Sequence, residues 1–165
     1  MKLSWHEKEV PSNLKIRQVY GVLFTNDKRI LLMKKMIDNK PFYSLSGGTP
    51  ESYDENLVAT LRRELVEEIN TTIEDPIYLG YQEVDFENGT EPFAQVRMVA
   101  KIRTIGEPLP DPDSGITYDR ILTPPKFAGK TLNWGEIGNR IIEIATIVAE
   151  ENFTFGNESD VEEYV

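Results

Sequence analysis

The chain has 165 residues, 39% of them hydrophobic and 28% charged, a balance that excludes a fibre or a wholly disordered chain and suits one domain around one core. It has no Cys and a single His, His6, so disulfides, thiolate metal sites and thiol nucleophiles are excluded, and a Ser/His/Asp triad would have one available centre near a terminus. The net charge of −10 sets up a field that repels polyphosphate backbones: stable nucleic-acid binding is not expected, and a small anionic substrate needs a metal ion or a local basic cluster.

In chain order, Arg17 to Thr25 and Arg29 to Lys35 are apolar, β-rich runs joined by Asn26, Asp27 and Lys28, which predicts a hairpin. A short strand is expected over Pro41 to Leu45, running into the Gly47-Gly48 turn. Ser52-Tyr53-Asp54-Glu55 fits a capping box and predicts a helix from Ser52 to Asn70. Two strands, Ile77 to Glu87 and Pro92 to Ile105, flank the Asn88-Gly89 reversal signal. Residues 106–130 read as a Pro-rich connection, either a functional loop or a structural excursion. Asn133-Trp134-Gly135-Glu136 is a second capping-box pattern, after which Ile137, Ile141, Ile144, Ala145 and Val148 recur at helical spacing. The expected organisation is a single domain over 1–153, with 154–165 an acidic, mobile tail. No apolar run reaches the roughly 20 residues of a membrane-spanning helix, and Met1 to Val10 is too polar for a signal peptide, so no membrane partner and a cytoplasmic location are expected.

The helix following Gly47-Gly48 carries the chemistry. At about 100° per residue from Leu57, the side chains of Val58, Leu61, Leu65 and Ile69 share one arc that must meet the core. Glu64, Glu67 and Glu68 crowd one flank, and Glu68 enters the margin of the apolar arc. Desolvating a bare carboxylate there would cost several kcal/mol without a compensating cation. Like charges three and four residues apart also oppose helix formation. A divalent ion reverses that sign, and oxygen-only ligands suit Mg²⁺ or Mn²⁺. The competing reading is a solvated acidic face in a Glu-rich protein.

The longer pattern, Gly47-Gly48, then Glu55, then seven residues, then Arg63-Glu64-Leu65-Val66-Glu67-Glu68, resembles the Nudix hydrolase box. In that box a Gly is separated by five residues from a Glu, seven more follow, and then Arg-Glu-aliphatic-x-Glu-Glu-x-Gly-aliphatic. Four departures stand out: six residues separate Gly48 from Glu55, by an insertion or a shifted Gly; Asn70 replaces the last Gly; Thr71 replaces the final aliphatic; and Ser46 stands where Pro often precedes the two glycines. Asn is the next-best residue for the left-handed helix stop.

The resemblance implies an α/β/α sandwich with a mixed sheet between helices. It also implies a Mg²⁺- or Mn²⁺-dependent hydrolase cleaving the diphosphate linkage of a nucleoside diphosphate derivative. Glu67 and Glu68 would be metal ligands, Glu64 a further ligand or the general base, and the Gly47 or Gly48 carbonyl a backbone ligand, with Gly48 favoured. Arg63 would act in the catalytic set, and Glu55 would brace it. The rival is a catalytically silent Nudix-like domain that senses a nucleotide. The partner is a small nucleotide or nucleotide conjugate, and a homodimer stays open.

Outside the box, Glu83, Asp85, Glu87, Glu107, Asp111 and Asp113 compete for a second acidic contribution. Arg17, Arg97, Lys101 and Arg103 are candidates for phosphates, against ordinary exposed strand positions. Tyr20, Phe127 and Trp134 are candidates for stacking on a base, against ordinary core roles.

Overall fold

The structure is a computed structural model that describes residues 1–165. In chain order the elements are β1 (Lys2–His6), β2 (Lys15–Phe24), β3 (Ile30–Ile37), β4 (Lys40–Ser44), β5 (Ser46–Gly48), α1 (Leu57–Ile69), β6 (Thr71–Ile73), β7 (Ile77–Asp85), β8 (Phe93–Ile105), β9 (Asp119–Thr123), α2 (Pro125–Leu132), α3 (Gly135–Asn152) and β10 (Glu163–Tyr164). The sheet runs β1-β7-β8-β2-β3-β9-β10, with β4 on β3, β5 on β2 and β6 on β8. Its pairing is antiparallel except between β2 and β8.

Alternation along the central strands divides the core in two. Val19 and Leu23 of β2, with Ala94, Val96 and Met98 of β8, pack beneath Leu61, Leu65 and Ile69 of α1. Val22, Phe24 and Val99 face the other way, against Ala128 and Leu132 of α2 and Ile141, Ile142 and Ala145 of α3. A mixed sheet with α1 on one face and α2 and α3 on the other is the expected α/β/α sandwich.

The strands Arg17 to Thr25, Arg29 to Lys35, Pro41 to Leu45, Ile77 to Glu87 and Pro92 to Ile105 lie within two residues of the observed ones at each end. The 106–130 connection contains more order than its prolines suggest. It includes β9, buried against β3, and Pro125 begins α2, where its missing N–H has no helical partner to lose. Asn133 does not open the last helix. It closes α2 in the left-handed conformation, at φ 56°, and α3 begins at Gly135 with no side-chain cap on Trp134.

The acidic tail, expected to be mobile, packs along the sheet. The Phe155 ring packs 5.9 Å from Phe24 with Lys101 Nζ 5.7 Å above it. The Gly156 amide donates to the Asn26 carbonyl at 2.8 Å, and β10 pairs with β9. The tail's acidic side chains meet cations held by the β2–β3 turn. Lys28 pairs with Glu150 and Glu158, and the buried Arg29 spans Asp27, at 2.8 Å, and Glu163, at 3.0 Å. Arg29 Nη1 also donates to the Val161 carbonyl at 3.0 Å. Arg29→Ala is therefore expected to cost about 2 kcal/mol by urea unfolding, the order of lost charge-assisted hydrogen bonds. Amide exchange should accelerate across residues 155–165 before it does in β8; equal protection of both segments in the variant would contradict this strapping role.

Candidate active site

Helix α1 starts later than the Ser52 pattern predicts. Ser52 and Glu55 are exposed, and Asn56 is the cap, its Oδ1 accepting from the Ala59 amide at 2.9 Å. The helix ends at Asn70, which takes the left-handed conformation at φ 46° and donates its amide to the Val66 carbonyl at 3.1 Å, so the replacement of the box Gly preserves the stop. With Leu61, Leu65 and Ile69 fixed in the core, Glu64, Glu67 and Glu68 fall along the flank beside β5.

The two glycines of β5 permit a close approach. A Cβ on Gly47 would stand 2.0 Å from the Val19 carbonyl oxygen, and one on Gly48 would stand 2.4 Å from the Glu64 carboxyl carbon. Only Gly lets β2, β5 and the acidic flank lie this near one another. The Gly47 amide donates to Glu68 Oε2 at 3.1 Å.

Arg63 gathers the loop and the helix, but Glu55 is not its brace. Its Nε and Nη2 donate to Asp54 at 3.1 and 3.0 Å, and Nη2 also reaches the Thr49 carbonyl at 3.0 Å. Nη1 donates to Glu64 and to Glu67, each at 3.0 Å. Asp54 is further fixed by the Glu51 amide and the Thr60 hydroxyl, both at 2.9 Å. Five residues separate Gly48 from Asp54, so Asp54 occupies the brace position when the count starts at Gly48. The additional residue lies between that acid and Arg63, not between Gly48 and the acid. The Arg63 guanidinium holds the Asp54 carboxyl well below the usual carboxylate range.

The acidic flank is electrostatically strained in the opposite sense. Burial pushes the Glu68 carboxyl up to about 7, with repulsion from Glu64 and Asp111 adding to it and the Gly47 amide pulling it back. Burial also raises Glu64, against the pull of Arg63. Glu64, Glu67 and Glu68 do not converge on one point, nor do any three acidic or imidazole groups of the chain. Arg63 draws Glu64 and Glu67 to one side while Glu68 turns to Gly47.

The donor set suits a hard divalent cation: every group is an oxygen, and Glu68 is desolvated among like charges without a salt-bridging cation of its own. Of the six acids outside the helix, Asp111 faces this flank, raising both Glu64 and Glu68. Its Oδ1 accepts from the Asp113 and Ser114 amides at 2.7 and 2.9 Å. Glu87 instead pairs with the N-terminus at 3.0 Å, and Glu83 stands 3.7 Å from His6.

A cavity of about 420 Å³ begins at Gly47 and Glu68 and extends over the α3 face of the sheet. Tyr20, Trp134 and Arg97 line it together, so three residues singled out separately in the sequence meet here. Gln82, Gln95, Lys35 and Ser44 add to its polar lining; the sequence offers no signal for them beyond strand alternation. The other candidates lie elsewhere. Lys101 ties down the tail through Asn26 and Thr154, Arg103 and Phe127 are exposed, and Arg17 stacks 4.7 Å from the Phe93 centroid beside a separate cleft. A wider groove of about 710 Å³ between α2 and α3 touches no box residue.

The family model described as NUDIX domain matches residues 15–134. No protein of curated function matches the chain in sequence. Among solved structures, the chain is similar to the Bacillus subtilis pyrophosphohydrolase BsRppH in a mutant form, with 15% identity over 92% of each chain and a TM-score of 0.64. It is similar to an ADP compounds hydrolase at 14% identity and TM-score 0.63, covering 87% of this chain and 77% of that one. A NUDIX hydrolase from Nitrosomonas europaea shares 14% identity, with TM-score 0.59 over 84% of this chain and 93% of that one.

Proposed function

The chain belongs to the Nudix hydrolase family, and from that premise we propose that it cleaves the diphosphate linkage of a nucleoside diphosphate derivative with the help of Mg²⁺ or Mn²⁺. The observation that carries this reading is the position of the acidic flank: Glu68, desolvated beside Gly47, stands at the mouth of a cavity walled by Tyr20 and Trp134. The cavity has the size and mixed lining of a small-molecule site. The names of two structural neighbours, a pyrophosphohydrolase and an ADP compounds hydrolase, agree with a diphosphate bond.

A diphosphate repels attacking water by its charge, and a bound divalent ion offsets that charge and eases the attack. Glu67 and Glu68 are the proposed ligands, with the Gly48 carbonyl as backbone donor and Asp111 as an acid from outside the helix. Glu64 is a ligand or the general base, and its burial, which raises its proton affinity, suits the second role. Arg63 holds Glu64 and Glu67 in place, while Asp54 fixes Arg63 to the loop.

The test is phosphate or nucleotide release by the full chain with Mg²⁺ or Mn²⁺. The panel covers ordinary and oxidised nucleoside triphosphates, ADP-ribose, dinucleoside polyphosphates, NAD and nucleotide sugars. Metal-dependent cleavage at a diphosphate bond is expected. A blank panel overturns the hydrolytic reading.

A further inference from the structure

The cavity contains a cation that nothing in the fold neutralises. Arg97 is 2% exposed, yet no carboxylate pairs with it. Of its five donors, Nη1 makes only long contacts to the Gln95 and Val96 carbonyls, at 3.3 and 3.4 Å. Nη2 reaches Gln95 Oε1 at 3.1 Å, and Nε is buried without a partner. Burial lowers its pKa to about 10, so it stays charged at neutral pH. A buried cation so poorly satisfied costs several kcal/mol unless something complements it.

Its surroundings favour a ring. The guanidinium lies 4.8 Å from the Tyr20 centroid and 5.9 Å from that of Trp134, with both rings lining the cavity. Gln95 is committed, giving its amide N–H to Gln18 and its oxygen to Arg97. Gln82, 8% exposed and also lining the cavity, has no hydrogen-bond partner in the protein. The cavity thus offers flat aromatic walls, a buried donor-only guanidinium and one uncommitted amide, with Lys35, held over the Phe42 ring, and Ser44 as its other polar groups beside Glu68.

We infer that this cavity selects a 6-oxopurine base, with Arg97 reading its paired O6 and N7 acceptors and Gln82 a neighbouring polar edge. The argument is one of sign. Arg has five donors and no acceptor. Guanine and hypoxanthine place two acceptors side by side on one edge, where adenine places the N6 amino donor beside N7. Uracil interposes an N3–H donor between its two carbonyls, so a guanidinium cannot take both without meeting a donor. Cytosine also pairs two acceptors, N3 and O2, but O2 adjoins the sugar-bearing nitrogen, whereas O6 and N7 lie on the edge remote from the sugar; CMP is therefore the control for any paired acceptors. The inference rests on the proposed nucleotide reading, because the phosphates must then lie toward the acidic flank.

Nucleoside monophosphates contain no diphosphate bond, so their binding reads the base without turnover. Titration calorimetry of the full chain with GMP, IMP, AMP, CMP and UMP in Mg²⁺ is expected to give GMP and IMP at least about tenfold tighter binding than AMP, CMP and UMP, the range of one good bidentate contact. Arg97→Lys keeps the charge but loses the fork, and should remove most of that preference while AMP binding changes little. Circular dichroism checks the variant; if it does not fold, the wild-type ranking decides alone. Equal affinities for all five, CMP binding as tightly as GMP, or no binding by any, overturn the inference. Equal losses of GMP and AMP binding in Arg97→Lys would make Arg97 a phosphate ligand and also overturn it. Base preference without cleavage in the diphosphate panel would sink the hydrolytic reading and leave this one standing; cleavage without base preference would do the reverse.

Discussion

Glu68→Gln is expected to lower the metal-dependent kcat/KM by about a thousandfold or more while the far-UV circular dichroism spectrum stays unchanged. The carboxylate is the most desolvated of the acidic flank, and its contact with the Gly47 amide at 3.1 Å needs only an acceptor oxygen, which the Gln amide retains. What the variant loses is charge. Several kcal/mol of charge stabilisation around the reacting phosphates corresponds to roughly that factor in rate. Glu67→Gln should act in the same direction and also weaken the 3.0 Å pair with Arg63, adding a small stability loss that Glu68→Gln lacks. Glu55→Gln, at an exposed position that does not touch Arg63, is expected to leave both rate and stability near wild type. Steady-state phosphate release across these three variants checks the assignment, and near-wild-type rates in both Glu67→Gln and Glu68→Gln would refute it.

The second large effect is on stability in chelator-treated protein. Glu68 has a folded-state pKa of about 7, above the 4.5 of an unperturbed Glu, so the folded state holds a proton that the unfolded state releases. Its contribution is fully present below about pH 4.5 and is lost as pH rises through 7, by up to about 3 kcal/mol near pH 8. Asp54 works with the opposite sign. Its carboxyl is depressed by Arg63, so its contribution disappears as pH falls below the usual carboxylate range. Stability without metal should therefore peak in mildly acidic solution. Urea midpoints between pH 5 and 8 should decline, Glu68→Gln should flatten that decline, and Mg²⁺ should raise the pH 8 midpoint more in wild type than in the variant. A wild-type profile that rises from pH 5 to 8 would contradict the burial of this charge.

The acidic helix was legible in the sequence because two periodicities coincide there: a 3.6-residue apolar repeat fixes the face, and the acids three and four residues apart occupy its flank. The brace was misread for a local reason. Glu55 matches the expected residue type, but a helix capped at Asn56 leaves it exposed, whereas Asp54 is drawn in by Arg63, Thr60 and the Glu51 amide together. Counting five residues from Gly48 would have found it. Convergence of Tyr20, Arg97 and Trp134 was beyond reach, because it depends on β2 pairing parallel to β8, residue 20 beside residue 97, and on α3 returning across that face. The tail's contacts were not legible either, because nothing in its acidic run marks Lys28 and Arg29, far upstream in the chain, as its partners.

The order in which these pieces are synthesised has its own consequence. Tyr164 pairs with Ile121, contacts the Tyr43 hydroxyl at 3.1 Å and lies under Lys34, so the outer border of β9 has no strand beside it until β10 is made. A chain without β10 would present that border, with its unpaired amides and carbonyls, as a template for sticking to another copy. Loss of those two residues, far from the carboxylates, would then register first as turbidity, before any change in turnover.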